Sequence, residues 1–185
     1  MQIQGTIRRI DDLGRVVIPK EMRRTLRIKE GDLLELHLAT SEHGPYIKVT
    51  KHSHIRQFED IARICVNTLF NVTNETVAIC DMDTILATCP GNRGLVGCEL
   101  TQDIIEYIRS SNIPSYLHSE PKIPTSLKLT EVLLSNVAAV YPIYIDAEAV
   151  GAIMLLGKHK IDERTDGAVS VTVSTIRALT NTNSI

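Results

Sequence analysis

Apolar positions fall in two blocks of different texture. In the first, Ile3, Gly5 and Ile7 share a parity against Gln4, Thr6 and Arg8, which predicts a strand over Ile3 to Ile10. Asp11-Asp12-Leu13-Gly14 is turn chemistry, and Arg15-Val16-Val17-Ile18 reads as a short β-branched strand beyond it. Arg8 and Arg15 then stand on two strands joined by a tight turn, within reach of one phosphate track. Pro19 suits the first position of a helix, where its missing N–H costs nothing. Met22 and Leu26 stack at i,i+4 while Arg23, Arg24 and Arg27 fan over the other side, predicting a helix of roughly two turns ended by Glu30-Gly31-Asp32. Leu34, Leu36 and Leu38 alternate with Glu35 and His37 as in a half-buried strand. A loop over Ser41 to Pro45 leads to a return strand, Tyr46 to Lys51, with Ile47 and Val49 inward.

The second block opens with helical period at Ile55, Phe58, Ile61, Cys65 and Leu69, a helix to about Phe70 that Asn71-Val72-Thr73-Asn74 breaks. Thr76 to Asp81 reads as a buried strand, Met82-Asp83 as a turn, and Thr84 to Cys89 as the return. Thr101 to Ser110 is helical, with Thr101 as cap and Ile104, Ile105 and Ile108 on one side. Residues 111–130, with Pro114, Pro121 and Pro124, predict a long loop. Val137 to Ile145 and Val150 to Leu156 form a hairpin about Asp146-Ala147-Glu148. Ala168, Val169, Thr172, Val173, Ile176 and Leu179 share a face of a last helix started by Asp162 or Thr165. The pattern divides the chain into domains at 1–52 and 53–185, with helix 55–70 as connector.

Charge changes this picture most. Residues 1–52 carry ten Lys/Arg against seven Asp/Glu, and the remainder ten against fifteen. The excess is sharpest between Gly5 and Lys29, where Arg8, Arg9, Arg15, Lys20, Arg23, Arg24, Arg27 and Lys29 face only Asp11, Asp12 and Glu21. A basic head on an acidic body points to a polyanion, and phosphate is the usual one. The alternative is a solvated face with local ion pairs. No aromatic side chains interleave the block, which argues against a stacking platform for single strands.

Composition closes off other classes. At 185 residues and 43% hydrophobic, the chain fits one large or two small globular domains. The start Met-Gln-Ile-Gln has no apolar run, and no stretch reaches the ~18 apolar residues of a membrane span, so the expected location is the cytoplasm with no membrane partner. Cys65, Cys80, Cys89 and Cys98 contain no C-x-x-C pair and read as reduced thiols, not a zinc site. His52 and His54 lie in the connector without further ligands nearby, so no metal is expected. No G-x-S-x-G, H-E-x-x-H or P-loop is present; the chain is expected not to be an enzyme, with no catalytic residues and no cofactor. Four strands and one helix give the head a thin core, which predicts dimerisation through the head.

Gly5 to Leu26, with Leu-Gly-Arg-Val-Val-Ile-Pro and Arg-Arg-Thr-Leu, closely resembles the AbrB family of transcription regulators over about residues 3–52. The resemblance implies an intertwined, swapped-hairpin β-barrel dimer with one short helix per chain, binding double-stranded DNA. The family's DNA contacts match Arg8, Arg15, Arg23 and Arg24, and Arg9 stands at a position basic in the family. The loop Thr40 to Pro45 looks longer than the family's tight turn.

The order helix, hairpin, helix, loop, hairpin, helix in the body resembles a GAF domain, most clearly at 137–145 and 150–157. The fold class expected is therefore α+β: the barrel head, then an antiparallel sheet flanked by helices. An AbrB-like head joined to a GAF-like body is similar to nucleoid-associated regulators of late, forespore-stage sporulation genes, acting as activators or repressors, and implies a homotetramer. GAF domains often hold small molecules, but the Asn-Lys-x-x-x-Phe-x-x-x-Asp-Glu motif of the cyclic-nucleotide class is absent, and no ligand-binding residues are assigned. Cys65, Cys80 and Cys89 either line a pocket or are buried as small apolar groups. The body is thus a small-molecule sensor or an oligomerisation module. The competing function is an antitoxin-like interaction module that also binds its own operator; apolar periodicity through 53–185 favours the regulator.

Overall fold

The computed structural model describes residues 5–123, 129–130 and 137–182, with residues 181 and 182 described by backbone only. Ile3 and Pro124 lie outside the described residues. The chain divides into two compact units, Met1–His52 and Ser53–Ile185.

In the first unit, α1 (Lys20–Thr25) begins behind Pro19, which is the cap and not the first helical residue. The helix ends earlier than Glu30 because Arg27 turns left-handed (φ 53°), letting the Ile28 N–H reach the Arg23 carbonyl at 2.8 Å. Strands β1 (Leu34–Ser41) and β2 (Gly44–Lys51) pair antiparallel from Leu34↔Lys51 to Ser41↔Gly44. The loop is therefore only Glu42-His43, shorter than the sequence suggested. Gly44 at φ 108° makes this possible, and the Ser41 hydroxyl bridges the turn by donating to the Gly44 carbonyl at 3.1 Å.

Of the strands expected over Ile3–Ile10 and Arg15–Ile18, the described residues 5–10 and 15–18 form none. Residues 5–10 and 15–19 carry no regular structure and have no strand partner among the described residues; only the turn between them closes, Asp11 N–H to the Arg15 carbonyl and Gly14 N–H to the Asp11 carbonyl, each 3.1 Å. A strand exists only as a member of a ladder, and one chain offers these segments no neighbour. No residue from 5 to 52 is buried: Ile7 is 96% exposed and Leu38 82%.

The second unit is built on a five-stranded antiparallel sheet in the order β4-β3-β7-β6-β5. These strands are β3 (Thr76–Asp81), β4 (Ile85–Thr88), β5 (Ser115–Tyr116), β6 (Val137–Ile145) and β7 (Glu148–Leu156). Helices α2 (Glu59–Thr73) and α4 (Glu163–Thr182) cover one face through Ala62, Val66, Leu69, Val169, Val173 and Ile176; α3 (Gln102–Ser110) covers the other through Ile104, Ile105 and Ile108. Both faces are dry, so β3, β6 and β7 read as continuous apolar runs instead of alternating ones. The β6–β7 hairpin closes over Asp146-Ala147, both left-handed at φ 46° and 64°, so Glu148 is already in the strand.

Helix boundaries follow their caps. The connector begins as a short 3-10 turn, Arg56–Phe58, and α2 then runs past Asn71 to Thr73, because the left-handed residue is Asn74 (φ 58°), whose N–H meets the Phe70 carbonyl at 2.7 Å. The Thr101 hydroxyl accepts from the Ile104 N–H, and Asp162 starts α4 by accepting from the Thr165 N–H at 2.7 Å. Cys80 packs on the α3 face, whereas Cys89 and Cys65 belong to the α2/α4 face, so the three do not line one pocket.

Polar contacts fix the ends of this layered body. Asp81, 3% exposed, accepts from the Asp83 and Thr84 N–H groups at 2.8 and 2.7 Å, and from the Ser53 hydroxyl and Arg56 guanidinium at 3.1 and 3.0 Å. Ile55, fully buried, lies directly over Gly151 of β7. Tyr141 donates to Asp166 at 2.9 Å and Tyr116 donates to the same carboxylate oxygen, tying β5 and β6 to α4.

Candidate nucleic-acid interface

The basic residues of the head sit on two local frames. The first is the turn Asp11–Arg15. Gly14 at φ 77° lets the chain reverse, and the Asp11 carboxylate holds the reversal, Oδ1 accepting from the Leu13 N–H at 3.0 Å and the Arg15 N–H at 2.8 Å. Its Oδ2 accepts from Arg15 Nε at 2.7 Å. The Arg15 N–H above all, and then its guanidinium, hold the Asp11 carboxyl below its ordinary range.

The second frame is α1. Arg23 and Arg24 occupy its last turn, both exposed, where cations complement the carbonyl end of the helix. Arg8 joins Met22, Glu21, Thr25, Leu26 and Pro19 around a concavity of about 710 Å³, so the structure brings Arg8 beside α1. Arg9 is exposed on the segment before the turn.

Pairing separates these side chains. Arg8, Arg9, Arg23 and Arg24 form no ion pair with any acid among the described residues, whereas Arg15 is paired. Of these five arginines, a solvated face laced with local ion pairs thus describes Arg15. Unpaired guanidiniums keep the planar forks that match phosphate oxygens and guanine edges.

Two arrangements in the head escaped the sequence reading. Asp11 was legible as turn chemistry, but its hold on Arg15 Nε needs the geometry of the turn. Glu35 bridges two histidines, Oε2 to His37 Nε2 at 2.9 Å and Oε1 to His52 Nδ1 at 2.6 Å, so the connector histidine at position 52 is engaged by a strand residue. The spacing of His37 two residues after Glu35 on one strand face was the available signal. Among the described residues no group of three His, Cys, Asp or Glu side chains is placed to hold a metal. No helix among them is long and apolar enough to cross a membrane.

The chain matches two family models in order. Residues 7–53 match "Antidote-toxin recognition MazE, bacterial antitoxin", and residues 57–178 match "Stage V sporulation protein T C-terminal, transcription factor". It is similar to stage V sporulation protein T of Bacillus subtilis (strain 168), 33% identical over 162 residues, covering 86% of this chain and 87% of that one. It is also similar to the transition state regulatory protein AbrB of the same organism, 55% identical over 38 residues, or 20% of this chain and 40% of the other. With a MazE/AbrB-type head, the matching C-terminal domain and that identity across most of both lengths, the chain belongs to the stage V sporulation protein T family of AbrB-type transcription regulators.

Proposed function

We propose that this chain is a DNA-binding transcription regulator that controls late, forespore-stage sporulation genes as activator or repressor. Residues 1–52 are its DNA-binding domain and residues 53–185 its regulatory and oligomerisation domain. Arg8, Arg9, Arg15, Arg23 and Arg24 contact duplex DNA, some reading base edges and others anchoring the backbone. The observation that carries this reading is the four exposed guanidiniums without acid partners among the described residues, Arg8, Arg9, Arg23 and Arg24, in a chain whose family is one of transcription regulators. The head works as an intertwined swapped-hairpin barrel with a second copy, which the exposure of its apolar side chains supports. The body is GAF-like, assembles two dimers into a tetramer, and senses a small molecule; its antiparallel sheet with helices on both faces supports the first of these. The protein acts in the cytoplasm, on the nucleoid.

Gel-shift titration of the full chain against Arg8→Ala, Arg15→Ala and Arg23→Ala, on mixed AT-rich duplexes at two salt concentrations, tests the assignment. Each variant should bind more weakly. With roughly six to ten phosphates neutralised per dimer, wild-type affinity should fall about 10³–10⁵-fold between about 50 and 200 mM salt. Unchanged binding by all three variants, or a flat salt response, would remove the reading. The MazE match favours a second reading, an antitoxin-like module. That reading requires tight capture of a toxin by the body, which co-purification from the native host would reveal.

A further inference from the structure

We propose that Asp11 is a positioning residue for Arg15, holding its guanidinium by the inner nitrogen so that the outer fork is presented, already ordered, to duplex DNA. The inference rests on Arg15 being a DNA contact, as proposed above, and assigns a role to an acid that charge alone would count against binding.

The geometry is specific. Asp11 and Arg15 are joined by three hydrogen bonds: Asp11 N–H to the Arg15 carbonyl at 3.1 Å, Arg15 N–H to Asp11 Oδ1 at 2.8 Å, and Arg15 Nε–H to Oδ2 at 2.7 Å; the Leu13 N–H, also on Oδ1 at 3.0 Å, braces the turn. One carboxylate oxygen therefore holds the backbone and the other holds the side chain. Of the five N–H donors of a guanidinium, the contact uses the one on Nε. The four on the terminal nitrogens have no partner among the described residues, and the side chain is 71% exposed. Arg8, Arg9, Arg23 and Arg24 have no such carboxylate among the described residues, so Arg15 alone of the set is held from behind.

Two physical effects now oppose each other, and their sign decides the matter. An exposed carboxylate beside a phosphate track repels it, so a merely structural Asp11 lowers affinity through its charge. A side chain ordered before binding loses less rotamer freedom on contact, so a positioning Asp11 raises affinity. An exposed i,i+4 pair adds little to stability in either case.

Asp11→Asn separates them. The asparagine keeps a carbonyl oxygen for the Leu13 and Arg15 N–H groups, but its amide cannot accept from Nε, and one negative charge is gone. Binding of the full chain to a duplex, measured by fluorescence anisotropy at fixed salt, should weaken about two- to tenfold for each arginine released. In an Arg15→Ala background the same change should not weaken binding at all, because nothing remains to be positioned. Arg15→Lys, which keeps the charge and lacks Nε, should lose affinity without any disturbance of the turn, and adding Asp11→Asn to it should give no further loss. Asp11→Asn that binds as tightly as wild type, or more tightly, overturns the proposal. So does an equal loss in the Arg15→Ala background, which marks a damaged turn. If Arg15→Ala itself binds normally, Arg15 is no contact, and the earlier reading of this residue fails along with the proposal that rests on it.

Discussion

Glu35 links two parts of the head through one carboxylate: β1, which carries it and His37, and His52 just beyond β2. The hydrogen bond from His37, followed by that from His52, holds its carboxyl below the ordinary value of 4.5. An acid with a lowered folded pKa adds stability above its ordinary pKa and loses it as pH falls through the folded one. Hydrogen exchange of the β1 and β2 amides should therefore show protection declining as pH is lowered past 4.5. Glu35→Gln should lack that part of the decline. Glu35 is 39% exposed, so added salt should shrink the effect in the wild type; a salt-independent decline would point to another group.

Elements are placed by contacts that a hydropathy pattern cannot express. Gly151 looks like an ordinary interruption in an apolar strand, yet a Cβ there would stand 2.1 Å from the Cys80 carbonyl oxygen and 2.6 Å from Ile55 Cδ1. The missing side chain is what lets the connector's first turn seat on the sheet. Gly151→Ala should destabilise the body by about 1–3 kcal/mol or more, read as a lower midpoint in denaturant, since backbone oxygen cannot step aside. A neutral result would mean that β7 shifts freely. The same distinction explains what was legible. Periodicity located α2, β3, α3, the β6–β7 hairpin and α4, because each has an apolar face against a layer of the same chain. It missed the two-residue loop at Glu42-His43 and the true end of α2 at Asn74, which are decided by single backbone angles. For the candidate interface, the arginines were legible as charge, while the partnership of Asp11 with Arg15 was not, since it exists only once Gly14 has turned the chain.

Across the whole molecule, the two units differ in how they meet their hydrophobic demand. The body buries both faces of its sheet, whereas the head buries nothing between residues 5 and 52. The segments 5–10 and 15–18, expected as strands from their alternation, are unpaired, with no neighbouring strand among the described residues. A charge at Ile7 tests this directly. On a head that acts alone, Ile7→Asp falls at a position 96% exposed and should change stability by no more than about 0.5 kcal/mol. In a paired head it places a carboxylate in an apolar seam, and amide protection in the head should collapse while the body's unfolding transition stays in place. Retained protection would show that the head needs no second copy.

A head without an interior of its own has a consequence for the cell's arithmetic. When the fold is completed only by a second chain, the functional unit appears with the square of chain number at low abundance. Halving synthesis then removes about three-quarters of the assembled heads, as mass action requires for an obligate dimer. With the paired head proposed above, the regulator would count its own copies before it acts, and a modest change in its production would be passed on to its targets as a steep one.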